Sequence, residues 1–90
     1  MMKHLNIRVI GKVQGVFFRA NTQKRALEYG IQGWVRNESD GSVYVEAEGA
    51  EEQMERFVDW LHQGSDQSHV EEVVIEQSDF EDFKGFEILR

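Results

Sequence analysis

The sequence predicts an α+β fold in which an antiparallel sheet carries two helices on one face and leaves the other open. Three observations carry this. Apolar residues alternate with period two in some stretches and recur at helical spacing in others, in the order β-α-β-β-α-β with a short terminal strand. The connections are short and contain glycine. The 90 residues also include no cysteine and no proline, with 17 Asp plus Glu against 10 Lys plus Arg. That composition suits one small acidic domain over residues 1–90, whose core must hold it without a disulfide.

Each element has its own signature. His4 to Ile10 alternates, with Leu5, Ile7 and Val9 on one face and Asn6 and Arg8 on the other, and Gly11 is expected to end this strand. Arg19 to Tyr29 is rich in helix formers, with Phe18, Thr22, Ala26 and Tyr29 on one stripe and Gly30 as a C-terminal cap. Ile31 to Asn37 reads as a second strand, and Glu38-Ser39-Asp40-Gly41 supplies the turn chemistry that returns the chain into Ser42 to Glu48. In this third strand Val43, Val45 and Ala47 oppose Tyr44, Glu46 and Glu48, so the second face is expected to be largely wet. Gly49 is expected to break the strand. Met54, Phe57, Val58 and Leu61 follow at helical spacing in a helix from about Ala50 to Gln63, stopped by Gly64 and Ser65. Val70 to Gln77 is a fourth strand, and Gly85 to Leu89 a short fifth at an edge.

This order is the split β-α-β pattern of the ferredoxin-like sandwich. In it the first and second strands run parallel with the third between them. The segments that follow both strands therefore emerge at the same edge, two strand spacings or ~10 Å apart, where they can converge on one small ligand. The topology hosts many functions, so the side chains must decide among them.

Two segments at that edge carry chemistry. Gly11-Lys12-Val13-Gln14-Gly15-Val16-Phe17-Phe18-Arg19 leads into the first helix, whose N-terminal N–H groups lack intrahelical partners and attract anions. Gly15 permits a positive φ and a nest of donors, and Arg19 adds a planar fork that matches two phosphate oxygens. The same residues also suit a plain connecting loop with Arg19 solvated. Gly33-Trp34-Val35-Arg36-Asn37 ends the second strand, and the Asn37 amide offers both an acceptor and a donor, the pair that orients a water. Asn before Glu-Ser-Asp-Gly is equally an ordinary turn residue.

Together with the Asp40-Gly41-Ser42-Val43 turn, these two segments resemble the acylphosphatase family, and the order of segments matches over nearly the whole chain. The resemblance implies that Gln14, Gly15, Val16, Phe17, Phe18 and Arg19 form a phosphate cradle. It further implies that Arg19 is the catalytic arginine and that Asn37 positions the attacking water. Thr22-Gln23 also fits the family. The activity implied is metal-free hydrolysis of small acyl phosphates to carboxylate and inorganic phosphate. The expected setting is a cytoplasmic monomer with a small-molecule substrate and no nucleic-acid or membrane partner. The resemblance fades after about Gln63, where Gly64-Ser65-Asp66-Gln67-Ser68 lacks the family's proline, and this loop is expected to lie away from the site.

Other chemistries find less support. Neither a signal-peptide core nor an apolar run of membrane length follows Met1. No cofactor is expected: His4, His62 and His69 share no ligand spacing, and Asp79, Glu81 and Asp82 lack the spaced ligands of a calcium loop, which reads as a solvated acidic turn. Ser65 and Ser68 near His69 do not make a nucleophile elbow. Trp34, Trp60 and Tyr44 suit packing rather than base stacking. An RNA-recognition module on this topology would need aromatic residues where Asn6, Arg8, Glu46 and Glu48 stand. A non-catalytic binder of acyl or carbamoyl phosphate keeps the pocket but not the turnover. Charge is uneven along the chain: residues 3–25 hold six basic and no acidic residues, while the remainder holds four basic and all 17 acidic ones. The basic segment contains the proposed cradle, with Lys12, Lys24, Arg25 and Arg36 expected as a solvated rim, and the acidic remainder discourages long polyanions.

Overall fold

A computed structural model describes residues 1–90. The elements are β1 (Met2–Lys12), α1 (Phe18–Glu28), β2 (Gln32–Asn37), β3 (Val43–Ala50), α2 (Glu51–Gln63), β4 (His69–Ser78) and β5 (Phe86–Ile88). They form a five-stranded sheet in the order β4-β1-β3-β2-β5, with β3 antiparallel to both β1 and β2. This is the α+β ferredoxin-like sandwich anticipated from the periodicity. No helix is long and apolar enough to cross a membrane.

Period-two alternation places Leu5, Ile7, Val9, Val35, Val43, Val45 and Ala47 on one face, all buried, against Phe18 and Ala26 of α1 and Met54, Phe57 and Leu61 of α2. Helix α1 is closed beyond its C-cap Tyr29 by Gly30, φ 69°, with Gly30 N–H bonded to Leu27 O and Ile31 N–H to Ala26 O at 2.8 Å, a Schellman motif. Glu51 and Glu52 occupy the first turn of α2, where the helix dipole favours anions.

Three departures from the sequence expectation have physical reasons. Strand β1 does not stop at Gly11: a register shift at Ile10/Gly11 lets it continue to Lys12, and a Cβ on Gly11 would lie 2.1 Å from His69 O. Strand β3 likewise runs through Gly49 to Ala50, opposite Lys3 and Met2. The fifth strand pairs with β2 in parallel, so the sheet is mixed rather than wholly antiparallel. Strand β4 ends opposite His4, at the start of β1. The chain then crosses that end of the sheet to the far edge and has to run in the direction of β2.

The crossing segment also changes the second face. Glu48, expected in water, is 1% exposed, and its carboxylate accepts the N–H groups of Glu81 and, at 2.7 Å, Phe83. His4, 1% exposed, packs its ring 5.3 Å from that of Phe83 and hydrogen-bonds Glu48 Oε2 through Nδ1 at 2.7 Å. Burial opposes ionisation of Glu48, but His4 and the two backbone donors outweigh it and lower the pKa. Burial likewise opposes charge on His4, yet the hydrogen bonds to Glu48 and Glu46 outweigh it and raise its pKa. The acidic turn is thus anchored on a buried carboxylate.

Candidate active site

The β1–α1 connection curls at two left-handed residues, Gly15 (φ 74°) and Phe17 (φ 60°, ψ 25°). The N–H groups of Gly15, Val16 and Phe17 find no acceptor in the protein. Those of Phe18, Arg19 and Ala20 belong to the first helical turn, where intrahelical acceptors do not exist. Consecutive unpaired donors at a helix N-terminus make a concave anion site. Arg19 lies in that first turn, and its Nη1 donates to Leu89 O at 3.3 Å. No carboxylate lies within ion-pair distance of its guanidinium.

Asn37 closes β2 at the same edge, as the parallel course of β1 and β2 requires. Its Oδ1 is buried and has no hydrogen-bond partner. A cleft of about 310 Å³ is lined by Val13, Gly15, Phe17, Phe18, Arg19, Ala20, Asn37 and Ile88. Among the expected cradle residues, Gly15, Phe17, Phe18 and Arg19 therefore face the cleft. Gln14 and Val16 do not. The Gln14 Nε2 donates to Glu38 O at 2.8 Å and Ser42 O at 2.9 Å, clipping the loop to the β2–β3 hairpin. Val16 is buried, and its carbonyl accepts the Ser65 hydroxyl at 3.2 Å. The loop after α2, expected to be distant, therefore braces the cradle from behind.

Sequence reasoning missed the contribution of β5. Ile88 lines the cleft, Leu89 O holds Arg19, and Gln23 Nε2 donates to Phe86 O at 2.9 Å, fastening α1 to the edge strand. Nothing in the local pattern signals this, because it depends on the crossing of residues 79–85. The basic rim is also smaller than expected. Lys3 pairs with Glu51, Arg8 with Asp40, Arg25 with Glu28 and Arg36 with Glu38. Lys12, Arg19 and Lys24 remain without an acidic partner within 4.0 Å. Trp34 and Tyr44 on the open face are covered by the Arg8 and Arg36 guanidiniums, while Trp60 packs on Phe18 at 5.5 Å. All three aromatic side chains are thus engaged within the protein.

A small cleft walled by unpaired N–H groups and a guanidinium without an acidic partner, on a ferredoxin-like sandwich, has the chemistry that suits a small anion. Comparison with known proteins narrows this. The family model described as Acylphosphatase matches residues 5–88. The chain is 45% identical over 89 residues to an acylphosphatase of Salinibacter ruber, covering 98% of this chain and 94% of that protein. It is 47% identical over 85 residues to one of Natronomonas pharaonis, covering 94% and 92%. The crystal structure of acylphosphatase from Bacillus subtilis superposes with a TM-score of 0.95 at 36% identity over 100% of both chains. A structure of full-length HypF in a phosphate- and nucleotide-bound form aligns at TM-score 0.89 and 26% identity, over 100% of this chain but 12% of that one. The chain belongs to the acylphosphatase family and is a hydrolase.

Proposed function

We propose that this cleft hydrolyses small acyl phosphates, with Arg19 and the N–H groups of the cleft-lining residues Gly15, Phe17 and Phe18 binding the phosphoryl group and Asn37 orienting the water. The observation that carries the reading is the buried, unpartnered Oδ1 of Asn37 in the same cleft as Arg19. A buried acceptor without a donor costs roughly 1–3 kcal/mol, and a nucleophilic water would satisfy it by donating a hydrogen bond. Water oxygen attacks phosphorus, the bond from phosphorus to the acyl oxygen breaks, and carboxylate and inorganic phosphate leave. A carboxylate is a good leaving group, so neither a general acid nor a covalent intermediate is required. Positioning and electrostatic stabilisation carry the rate. No metal is assigned a part in the reaction. Small size and a soluble substrate fit a cytoplasmic monomer in which one chain supplies the whole site.

Arg19→Gln and Asn37→Ala test the assignment on benzoyl phosphate. Each variant, still folded by circular dichroism, should lose about a hundredfold or more in kcat, the scale for removing one preorganised donor. Near wild-type turnover in either would reject the role given to that residue. EDTA should leave turnover unchanged. The likeness to one segment of the larger HypF chain supports a second reading, a non-catalytic acyl or carbamoyl phosphate binder. Saturable binding without turnover would favour it.

A further inference from the structure

Outside the cleft, at the opposite end of β1, the open face brings together side chains that the chain keeps far apart. His4 and Asn6 lie on β1, and Glu48 and Glu46 face them in register on β3. Glu81 arrives from the crossing segment. The ligand atoms of His4, Glu46 and Glu81 all lie within 4.8 Å of one another. We propose that His4 Nε2, Glu46 and Glu81, with Asn6 Oδ1 as a fourth donor, bind a divalent transition-metal ion that staples the crossing segment to the sheet.

Two independent features point to a cation. The first is the orientation of His4. Its Nδ1 is held by the buried Glu48 carboxylate at 2.7 Å, the outer carboxylate that commonly fixes a metal-binding imidazole with Nε2 directed at the metal. That Nε2 is fully buried and faces oxygen acceptors only: Glu46 Oε1 at 2.9 Å, Asn6 Oδ1 at 3.1 Å and Glu81 Oε2 at 3.8 Å. The Asn6 amide is turned this way by Nδ2 donating to Ser78 Oγ. A single proton on Nε2 reaches only Glu46 and Asn6 and leaves Glu81 Oε2, at 3.8 Å, unbonded, whereas one metal ion bonds all three. These separations straddle the edge of a tetrahedron with bonds of about 2.0–2.2 Å, roughly 3.3–3.6 Å. The second feature is charge. Glu46, Glu48 and Glu81 have no basic group within ion-pair distance except His4 itself. An ion of charge two offsets two of these three negative charges, against one for a proton on His4, and one imidazole with carboxylate and carbonyl oxygens suits Zn²⁺ or a neighbouring first-row ion rather than a thiophilic one.

The test uses the full chain, stripped with chelator and titrated with ZnCl2 by calorimetry at neutral pH. One saturable site per chain and a higher melting temperature on Zn²⁺ addition are expected. Glu81→Gln alters a partly exposed side chain and should fold normally, yet lower the affinity by at least about tenfold, the scale reached by outer-shell changes alone. His69→Gln, on an exposed histidine, should leave affinity unchanged. The ¹⁵N resonance of His4 Nε2 should shift on Zn²⁺ addition, a readout that needs no variant. Absence of saturable binding, binding undiminished in Glu81→Gln, loss of binding in His69→Gln, or an unmoved His4 resonance would each overturn the proposal. The titration, the melting temperature and the His4 resonance all read the cluster directly and none reads turnover of acyl phosphate, so failure here and failure of the proposed hydrolysis are distinguishable.

Discussion

Asp40 shows how one side chain fixes a turn. Its carboxylate accepts the Ser42 hydroxyl at 2.6 Å and the Ser42 N–H at 2.9 Å, and Arg8 approaches at 3.4 Å. These contacts, the Ser42 hydroxyl foremost, hold its pKa below the ordinary 3.8. A lowered folded-state pKa means that the ionised form favours the fold. The contribution is complete above the ordinary value and disappears as the pH falls through the lowered one. In urea unfolding at a series of pH values, Asp40→Asn should be less stable than wild type by a constant margin down to about pH 5, and that margin should close in stronger acid. A margin that persists at the acid limit would place the effect in the turn backbone instead. The roles expected of Asn37 and Arg19 came from the family resemblance and not from residue type alone, while their meeting at one cleft was legible from the strand order. Glu48 was not: alternation put it on the wet face, and only a segment more than thirty residues later in the chain buries it.

Elements decide how the cradle is held. Gln14 belongs to the loop by sequence, yet its amide spans to the hairpin through two carbonyls. These two bonds tie the loop to the hairpin that follows Asn37, and under the proposed function they would set the loop's distance from it. Gln14→Ala leaves both carbonyls without this donor and should cost about 1–3 kcal/mol by thermal unfolding. It should also lower kcat/KM for benzoyl phosphate by about ten- to a hundredfold through misplacement of the loop. Loss of stability with unchanged kinetics would show that the loop keeps its shape unaided. Ser65, bonded to the Val16 carbonyl, supports the same loop from α2's end. The local composition of Gly64 to Ser68 marks a turn and nothing more, so its role there became visible only through packing.

On the scale of the whole molecule, β5 joins the core to the cleft. Phe86 is 5% exposed and meets Phe57 edge-on at 6.1 Å, while the adjoining Ile88 and Leu89 O form one wall. Phe86→Ala should destabilise the fold by about 3–5 kcal/mol in denaturant titration, because a large ring is removed from a closed core. Activity should fall at temperatures well below the global transition, as the anchor of Arg19 loosens with the strand. Full activity up to the transition would separate the strand from the site.

Periodicity, glycine position and two motifs were enough to determine the succession of elements, the buried face and the pairing of Arg19 with Asn37 at one edge. Those features rest on local geometry, since strand and helix repeats place side chains on faces wherever the chain ends up. Tertiary structure alone decided the parallel course of β5, the hydrogen bond of Arg19 to Leu89 O, the bracing of the cradle by Gln14 and Ser65, and the burial of His4 with Glu48. Each of these joins residues far apart in the chain through a crossing segment or a cross-strand register. Such contacts follow from which end of the sheet the chain crosses, and no local repeat encodes that choice.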